Sequence, residues 1–498
     1  MIWIVSLIFC SSIFWMKNSI DLAPWAFFEV ISDFLLIRLL FLKKELKIPE
    51  KNIFLPLLAL LFLTALSLSW SSHFHATLMS LYKVVFILIL FVLFMTQKSE
   101  WENALIKSVL AFSGIGSLGT LVFPQILDTL GMHHPSLFYG FLAQGGILAF
   151  GLFLMKKGKP YCILSLGIGC SLIISKSLAP LLGWSFGIMC ATFFYDRKKI
   201  SLVIVCLCGL FLLSFLHWEG NPLYAIWERK SEDAFTLERI AIWQDSLNYF
   251  LDHPLLGTGW GTFRDFYPQY KSIEGTRVAP YAHNLPLQIL CELGLAGFLL
   301  FLWLGVFTLK IIFQHHKIPD SQGVWGSLLG GTFFQSLFDF NLHFPLILFL
   351  FLFSLSFNLP FRIGTWDNKK SVKTGIVFCF IFLAFLMGLP GMAEIYFKWH
   401  YSNPSQRISS AIVATELDPF NAYYRMETGR KRDLFIALDL EPRNVWFKRE
   451  YAQILSRENL PEAIKQYAVI IPLAPNVESF RKEAQNLISL SRNLKKSN

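Results

Sequence analysis

Long apolar stretches separated by short polar connectors run along most of the chain. Thirteen are candidates for membrane helices: 2–16, 22–42, 53–70, 76–96, 104–124, 135–155, 161–175, 178–194, 200–216, 284–309, 322–337, 344–360 and 374–391. A membrane helix needs about 20 mostly apolar residues, so the first, seventh, eighth and eleventh are short. Only Lys176 and Ser177 separate the seventh from the eighth, a spacing that also suits a broken or re-entrant pair. The pattern predicts an all-α polytopic membrane protein with about 12–13 transmembrane helices. Two polar segments interrupt it. One is the loop 217–282 between the ninth and tenth spans, and the other is the tail 392–498.

Charge orients the spans. With Met1 on the cytoplasmic side, the inner loops 43–52, 97–103, 156–160, 195–199, 310–321 and 361–373 hold 17 Lys and Arg, against two in the short outer loops, Lys17 and Lys176. Cytoplasmic loops of membrane proteins carry this excess. Both long polar segments then fall outside, the tail because the span count is odd. The bias also accounts for the net charge of +10 without nucleic acid as a partner. Apolar residues make up 54% of the 498 residues and charged residues only 16%, too few to coat a soluble protein of this size. Met1 leads straight into an apolar stretch with no basic segment and no small-residue cleavage site, so no cleavable signal peptide is expected. The eight cysteines, Cys10, Cys162, Cys170, Cys190, Cys206, Cys208, Cys291 and Cys379, lie in apolar stretches and read as small packing residues.

Within the outer loop, Leu237, Ile240, Trp243, Leu247 and Phe250 recur at three- and four-residue spacing. That predicts an amphipathic helix from Thr236 to Leu251, with Thr236 as N-cap, lying on the membrane surface or against the bundle. Arg239 sits in its first turn and, from periodicity alone, reads as an ordinary surface arginine. His253-Pro254 leads into Gly257-Thr258-Gly259-Trp260-Gly261. Its alternate glycines permit positive φ and close backbone approach, and no phosphate-binding Lys-Ser/Thr follows. Ala282-His283-Asn284 opens the tenth span, with Asn284 as N-cap and Pro286 in the first turn. His283 is thus expected at the outer mouth beside a helix N-terminus that favours anions. Glu292 falls about two turns into the same span, and an intramembrane carboxylate calls for a function or a buried partner.

The run Arg239, Trp243, His253-Pro254, Gly257-Thr258-Gly259, Ala282-His283-Asn284, Gln288-Ile289-Leu290, Glu292-Leu293-Gly294 and Gly297 resembles the signature of the O-antigen ligase family. That family groups lipopolysaccharide O-antigen ligases with polysaccharide polymerases and protein O-oligosaccharyltransferases. Ser336-Leu337-Phe338-Asp339-Phe340-Asn341-Leu342-His343-Phe344-Pro345 resembles a second motif, found in members with tetratricopeptide-like tails. The resemblance implies a C-type-like glycosyltransferase that passes a glycan from undecaprenyl pyrophosphate to an acceptor hydroxyl at the periplasmic face of the bacterial inner membrane. The acceptor is lipid A core, a growing glycan or a protein. It further implies that Arg239 binds the pyrophosphate and His283 activates the acceptor. Where the family pattern has a further Arg, this chain has Lys176, which lacks the planar fork that grips phosphate. Asn284, Gly257 and Gly259 join Lys176 as expected substrate-binding residues. Asp339 and Asn341 either line the acceptor path or cap helices.

Chemically, a histidine near its ordinary pKa of about 6.5 can take a hydroxyl proton. Cations and a helix dipole can stabilise the leaving pyrophosphate without metal or cofactor. Outer-side histidines recur at His73, His75, His133, His134, His217, His253 and His343, but lack the flanks of a metal site, so no metal is expected. The tail repeats Leu417-Asp418-Pro419-Phe420-Asn421, Leu440-Glu441-Pro442-Arg443-Asn444 and Leu473-Ala474-Pro475-Asn476. The second proline interval, 33 residues, suits a tetratricopeptide unit, with Trp446–Val469 as its helix pair. The chain therefore divides into spans 1–216, loop 217–282, spans 283–391 and a helical tail 392–498. A polysaccharide transporter or scaffold is the non-enzyme alternative.

Overall fold

The computed structural model describes residues 2–11, 22–42, 45–123, 135–175, 177–201, 203–205, 234–273, 278–314, 320–365, 370–401 and 403–497. The expected ninth span, Lys176, His133, His134 and His217 lie outside them, the ninth span all but its first residues. The membrane body contains α1 (Ile2–Ser11), α2 (Leu22–Leu42), α3 (Lys51–Ser67), α4 (Phe74–Val122), α5 (Pro135–Leu154), α6 (Lys159–Ile174), α7 (Leu178–Tyr195), α10 (Leu285–Gln314), α11 (Asp320–Ser336), α12 (Pro345–Asn358) and α13 (Lys370–Tyr401). The loop segment supplies α8 (Ala234–Asp252) and α9 (Phe263–Tyr270), and the tail supplies α14 (Pro404–Leu417) through α19 (Glu478–Ser497). Five helices among the described residues are long and apolar enough to cross a membrane, and three shorter ones are apolar as well.

Three expected boundaries move. The fourth and fifth spans form one helix, α4, kinked at Gln97 (φ −122°), so the connector 97–103 is helical. The tenth span is broken at Gly294 (φ +63°). The thirteenth continues as α13 to Tyr401, past the expected tail boundary at 392. In the first and third the helix runs on through charged residues that lower the hydropathy; in the second a glycine with positive φ interrupts it.

Parts of three basic segments expected on the inner side meet at one end of the bundle. β1 (Glu45–Pro49) pairs antiparallel with β2 (Phe361–Thr365), Glu45 opposite Thr365 and Pro49 opposite Phe361, where only loops were expected. The Lys47 amide donates to Thr96 Oγ1 at 3.1 Å, and the Lys98 ammonium lies over the Phe357 and Phe361 rings. Residues 45–49, 96–98 and 357–365 thus share an end. At the bundle centre Phe94 meets Trp101, Phe349 and Phe353 edge to face. Close approach of α7 and α11 depends on small residues: a Cβ on Gly331 would stand 2.7 Å from the Gly183 carbonyl oxygen.

Asp418, Asn421, Glu441 and Asn444, from the repeated tail motifs, fall between helices. α14, α16 (Lys431–Leu440) and α18 (Leu460–Leu473) end on Leu417, Leu440 and Leu473. Asn421 caps α15 (Ala422–Glu427) and Asn444 caps α17 (Val445–Glu458) by accepting from backbone amides. α17 and α18 form the expected helix pair. The tail docks at the bundle end opposite the β1–β2 sheet: His75 Nε2 meets Asp418 at 3.0 Å, and Asn476 donates to the Lys271 carbonyl at 2.6 Å.

Candidate active site

The loop segment folds on its own small core. Ile242 and Tyr249 of α8, Phe263, Phe266 and Tyr267 of α9, and Ala279, Ala282 and Cys291 are buried together. Asp245 ties the two helices, accepting from the Tyr267 hydroxyl at 3.1 Å and the Ser272 amide at 3.0 Å. On α9, Phe263, Phe266, Tyr267 and Tyr270 recur at three- and four-residue spacing, a short amphipathic pattern that marks the helix in the sequence and turns these rings towards this cluster. On α8 the face towards the protein is Ile242, Asp245, Ser246 and Tyr249, while Ile240, Leu247 and Leu251 are exposed. Of the expected stripe, Ile240 and Leu247 therefore face outwards, leaving an apolar edge suited to a membrane surface, while Trp243 and Phe250 pack against the local core.

The Gly-rich turn completes the broken helix. At Gly294 helix α10 loses its internal bonding. The Leu295 and Ala296 amides donate instead to the carbonyls of Pro254 and Leu255, while Glu292 and Cys291 accept from the Gly259 and Thr258 amides. A Cβ on Gly257 would come within 2.3 Å of the Glu292 backbone, and one on Gly294 within 2.4 Å of Leu255. Gly257 and Gly259, expected as substrate-binding residues, are placed in this backbone join.

Glu292 has its buried partners. Its Oε1 accepts from the Phe263 amide at 3.0 Å and from Gln288 Nε2 at 2.8 Å, and Gln288 Oε1 accepts from the Ala282 amide at 2.7 Å. This relay fixes the backbone just before His283, which takes φ +51°, an uncommon conformation for a residue other than glycine. Asn284 caps α10, its Oδ1 accepting from the Leu287 amide at 3.0 Å.

Three residues from the loop side converge on the turn after α11. Arg239 Nη1 donates to the Phe338 carbonyl at 3.2 Å, and Asn284 Nδ2 donates to the Leu337 carbonyl at 3.0 Å. His283 Nδ1 lies 3.5 Å from Asp339 Oδ1. The His283 ring packs edge-on to Phe340, 4.8 Å between centroids. Burial would raise the Asp339 carboxyl, but the His283 imidazole and the Arg239 charge hold it below the usual carboxylate range. Asp339 is therefore an anion facing an imidazole. Asn341 is turned into the bundle, 3.5 Å from the Thr332 carbonyl, away from this cluster.

A cavity of about 730 Å³ adjoins the cluster. Tyr281 and His343 line it, and Tyr281 stacks on Phe340 at 5.0 Å. Burial first, then the nearby Lys83 charge, push the His343 imidazole down to about 3, so it is neutral. Lys83, the lone charge inside the expected span 76–96, also lines the cavity. That isolation was the signal by which it could have been found. At the rim, His73 bridges two carboxylates: Nδ1 to Asp265 at 2.5 Å and Nε2 to Glu441 at 2.9 Å. Burial opposes its charge, but Asp265 and Glu441 outweigh that and raise its pKa well above 6.5. These three side chains have metal-ligand chemistry and sit close together. The carboxylates lie against opposite ring nitrogens, one on each. The arrangement suits an imidazolium staple.

A helical bundle with a histidine, a buried carboxylate and an arginine gathered at one end defines a multi-pass membrane protein with a polar site at its surface. Residues 161–302, which include Arg239, the Gly-rich turn and His283-Asn284, match the family described as O-antigen ligase. The match supports a membrane glycosyltransferase of the ligase or polymerase type. No curated protein matches the chain.

Proposed function

We propose that the protein transfers a glycan from undecaprenyl pyrophosphate to an acceptor hydroxyl at the periplasmic face of the inner membrane, as an O-antigen ligase-like enzyme. The observation that carries this reading is the convergence of Arg239, His283 and Asn284 on the single turn 337–339. Asp339, 3.5 Å from Nδ1, stands on the side from which a closer approach would orient the imidazole and leave Nε2 for the acceptor, the arrangement general bases use. The hydroxyl oxygen attacks the anomeric carbon as its proton passes to His283. The bond to the pyrophosphate breaks, and Arg239 with the N-terminus of α10 takes up the charge. Direct attack inverts the anomeric centre. Neither a metal nor a cofactor enters these steps. Chain polymerisation and protein glycosylation use the same geometry with another acceptor.

Deleting the gene tests the reading. A lipid-linked glycan should accumulate and one acceptor class should lose it; unchanged lipid-linked pools and fully glycosylated acceptors would remove the proposal.

A further inference from the structure

We propose that the C-terminal helices complete a saccharide-binding site, placing one wall of it beside the reacting groups. The proposal rests on the glycosyltransferase reading above and assigns the tail a part in it. The 730 Å³ cavity is closed on one side by the membrane body and the loop segment and on the other by tail residues 421–447. Its volume is that of a ligand site. Trp260 and Tyr281 of the loop face it, as do Tyr423 and Trp446 of the tail. Lys83 and Glu292 supply a donor and an acceptor at its floor. The Lys83 ammonium makes no ion pair within 4 Å among the described residues; the Trp25 ring lies 4.8 Å from it.

Such walls fit the two surfaces of a sugar. Pyranose rings have apolar C–H faces that stack on indole and phenol rings, and hydroxyl edges that both donate and accept. An acyl chain gains nothing from the charges, and a nucleic acid would want cations without Glu292. The tail wall is held in place by the His73 staple, by His75 on Asp418, and by Phe74 against Phe420 at 5.4 Å. The cavity borders the reacting groups at Tyr281, which lines it and stacks on the same Phe340 that packs against His283. The sugar is the glycan of the donor or that of the acceptor.

The test uses the full chain in lipid nanodiscs. Two lipid-free oligosaccharide pools are titrated by calorimetry, one released by mild acid from the host's lipid-linked glycans and one from its lipopolysaccharide. One pool should bind, which names the source. Tyr423→Ala and Trp446→Ala should each weaken that binding about tenfold and raise the KM for the matching substrate, with kcat little changed. Trp446 also packs on Phe480, so helicity and melting of each variant are checked, and Trp260→Ala on the loop side repeats the measurement without touching the tail. Absence of binding by either pool, or unchanged affinity in Tyr423→Ala and Trp260→Ala, overturns the proposal. His283→Ala separates it from the parent reading. If that variant keeps saccharide binding and still transfers glycan at full rate, the mechanism fails while the cavity stands. If it loses transfer and no pool binds the wild type, the cavity proposal fails alone.

Discussion

At the residue scale, His283 and Arg239 have distinct duties and should fail differently. Removing a general base costs roughly 10² to 10⁴ in rate. His283→Ala should lose that much turnover and keep donor binding, because the imidazole touches the acceptor proton and not the pyrophosphate. Arg239→Ala should weaken donor binding and turnover together. Arg239→Lys should recover part of both, since a lysine keeps the charge but not the bidentate fork. Transfer assays and donor titrations on purified variants of verified fold decide both; normal donor binding by Arg239→Ala would move the phosphate-holding role to another cation, with Lys176 first in line.

Element-scale predictions concern the joins. Gly257 and Gly294 both take positive φ where a side chain would strike backbone atoms of the opposing segment. Backbone strain of this kind costs about 1–3 kcal/mol per position, before any clash. Gly294→Ala and Gly257→Ala should therefore lower the melting temperature in detergent well beyond Gly305→Ala, which has open space around it. Equal melting of all three would contradict the role assigned to the turn.

The His73 staple predicts how docking of the tail depends on pH. A raised histidine pKa contributes fully below its ordinary 6.5 and is lost as pH rises through the raised value. Glu441, held down chiefly by His73, contributes above its ordinary 4.5 and is lost as pH falls through the lowered value. Docking should be firmest between those ordinary values, persist into mildly alkaline solution, and loosen at both extremes. Limited proteolysis after Tyr401 across this range reads it out. His73→Ala should be cut faster than wild type at pH 6 and show no further loosening from this pair in alkali. A flat profile for wild type excludes the staple as a clasp.

For the whole molecule, topology and metal dependence are the exposed claims. The tail, the loop segment and residues 71–75 meet at the end opposite the β1–β2 sheet. A periplasm-active reporter fused after Asn498 should therefore be active; activity of a cytoplasmic reporter there would invert the proposed orientation. Transfer should also survive a strong chelator, since the proposed steps draw on a histidine base and fixed cationic side chains. Rescue of chelated enzyme by one divalent ion would return the His73, Asp265 and Glu441 cluster to consideration as a metal site.

Much of this was determined along the chain itself. Span positions follow from hydropathy, because lipid tolerates only long apolar helices with their backbone bonds satisfied internally. The shared end of the basic loops follows from lysine and arginine placement. Two helix junctions of the tail follow from Leu-x-Pro-x-Asn at 417–421 and 440–444, because proline interrupts backbone bonding and Asn421 and Asn444 cap the helices that follow. His283 and Asn284 are legible as a pair at a helix start for the same local reason. The tertiary structure alone decided what meets across distance. Asp339 reaches His283, and Glu441 with Asp265 reaches His73. The turn 254–259 repairs the break at Gly294, and the tail closes a cavity over Lys83. These are contacts between segments tens to hundreds of residues apart. Local periodicity reports which face of a segment is apolar, but not which distant polar group satisfies the donors and charges left over. Only closure of the chain into one packed body settles that.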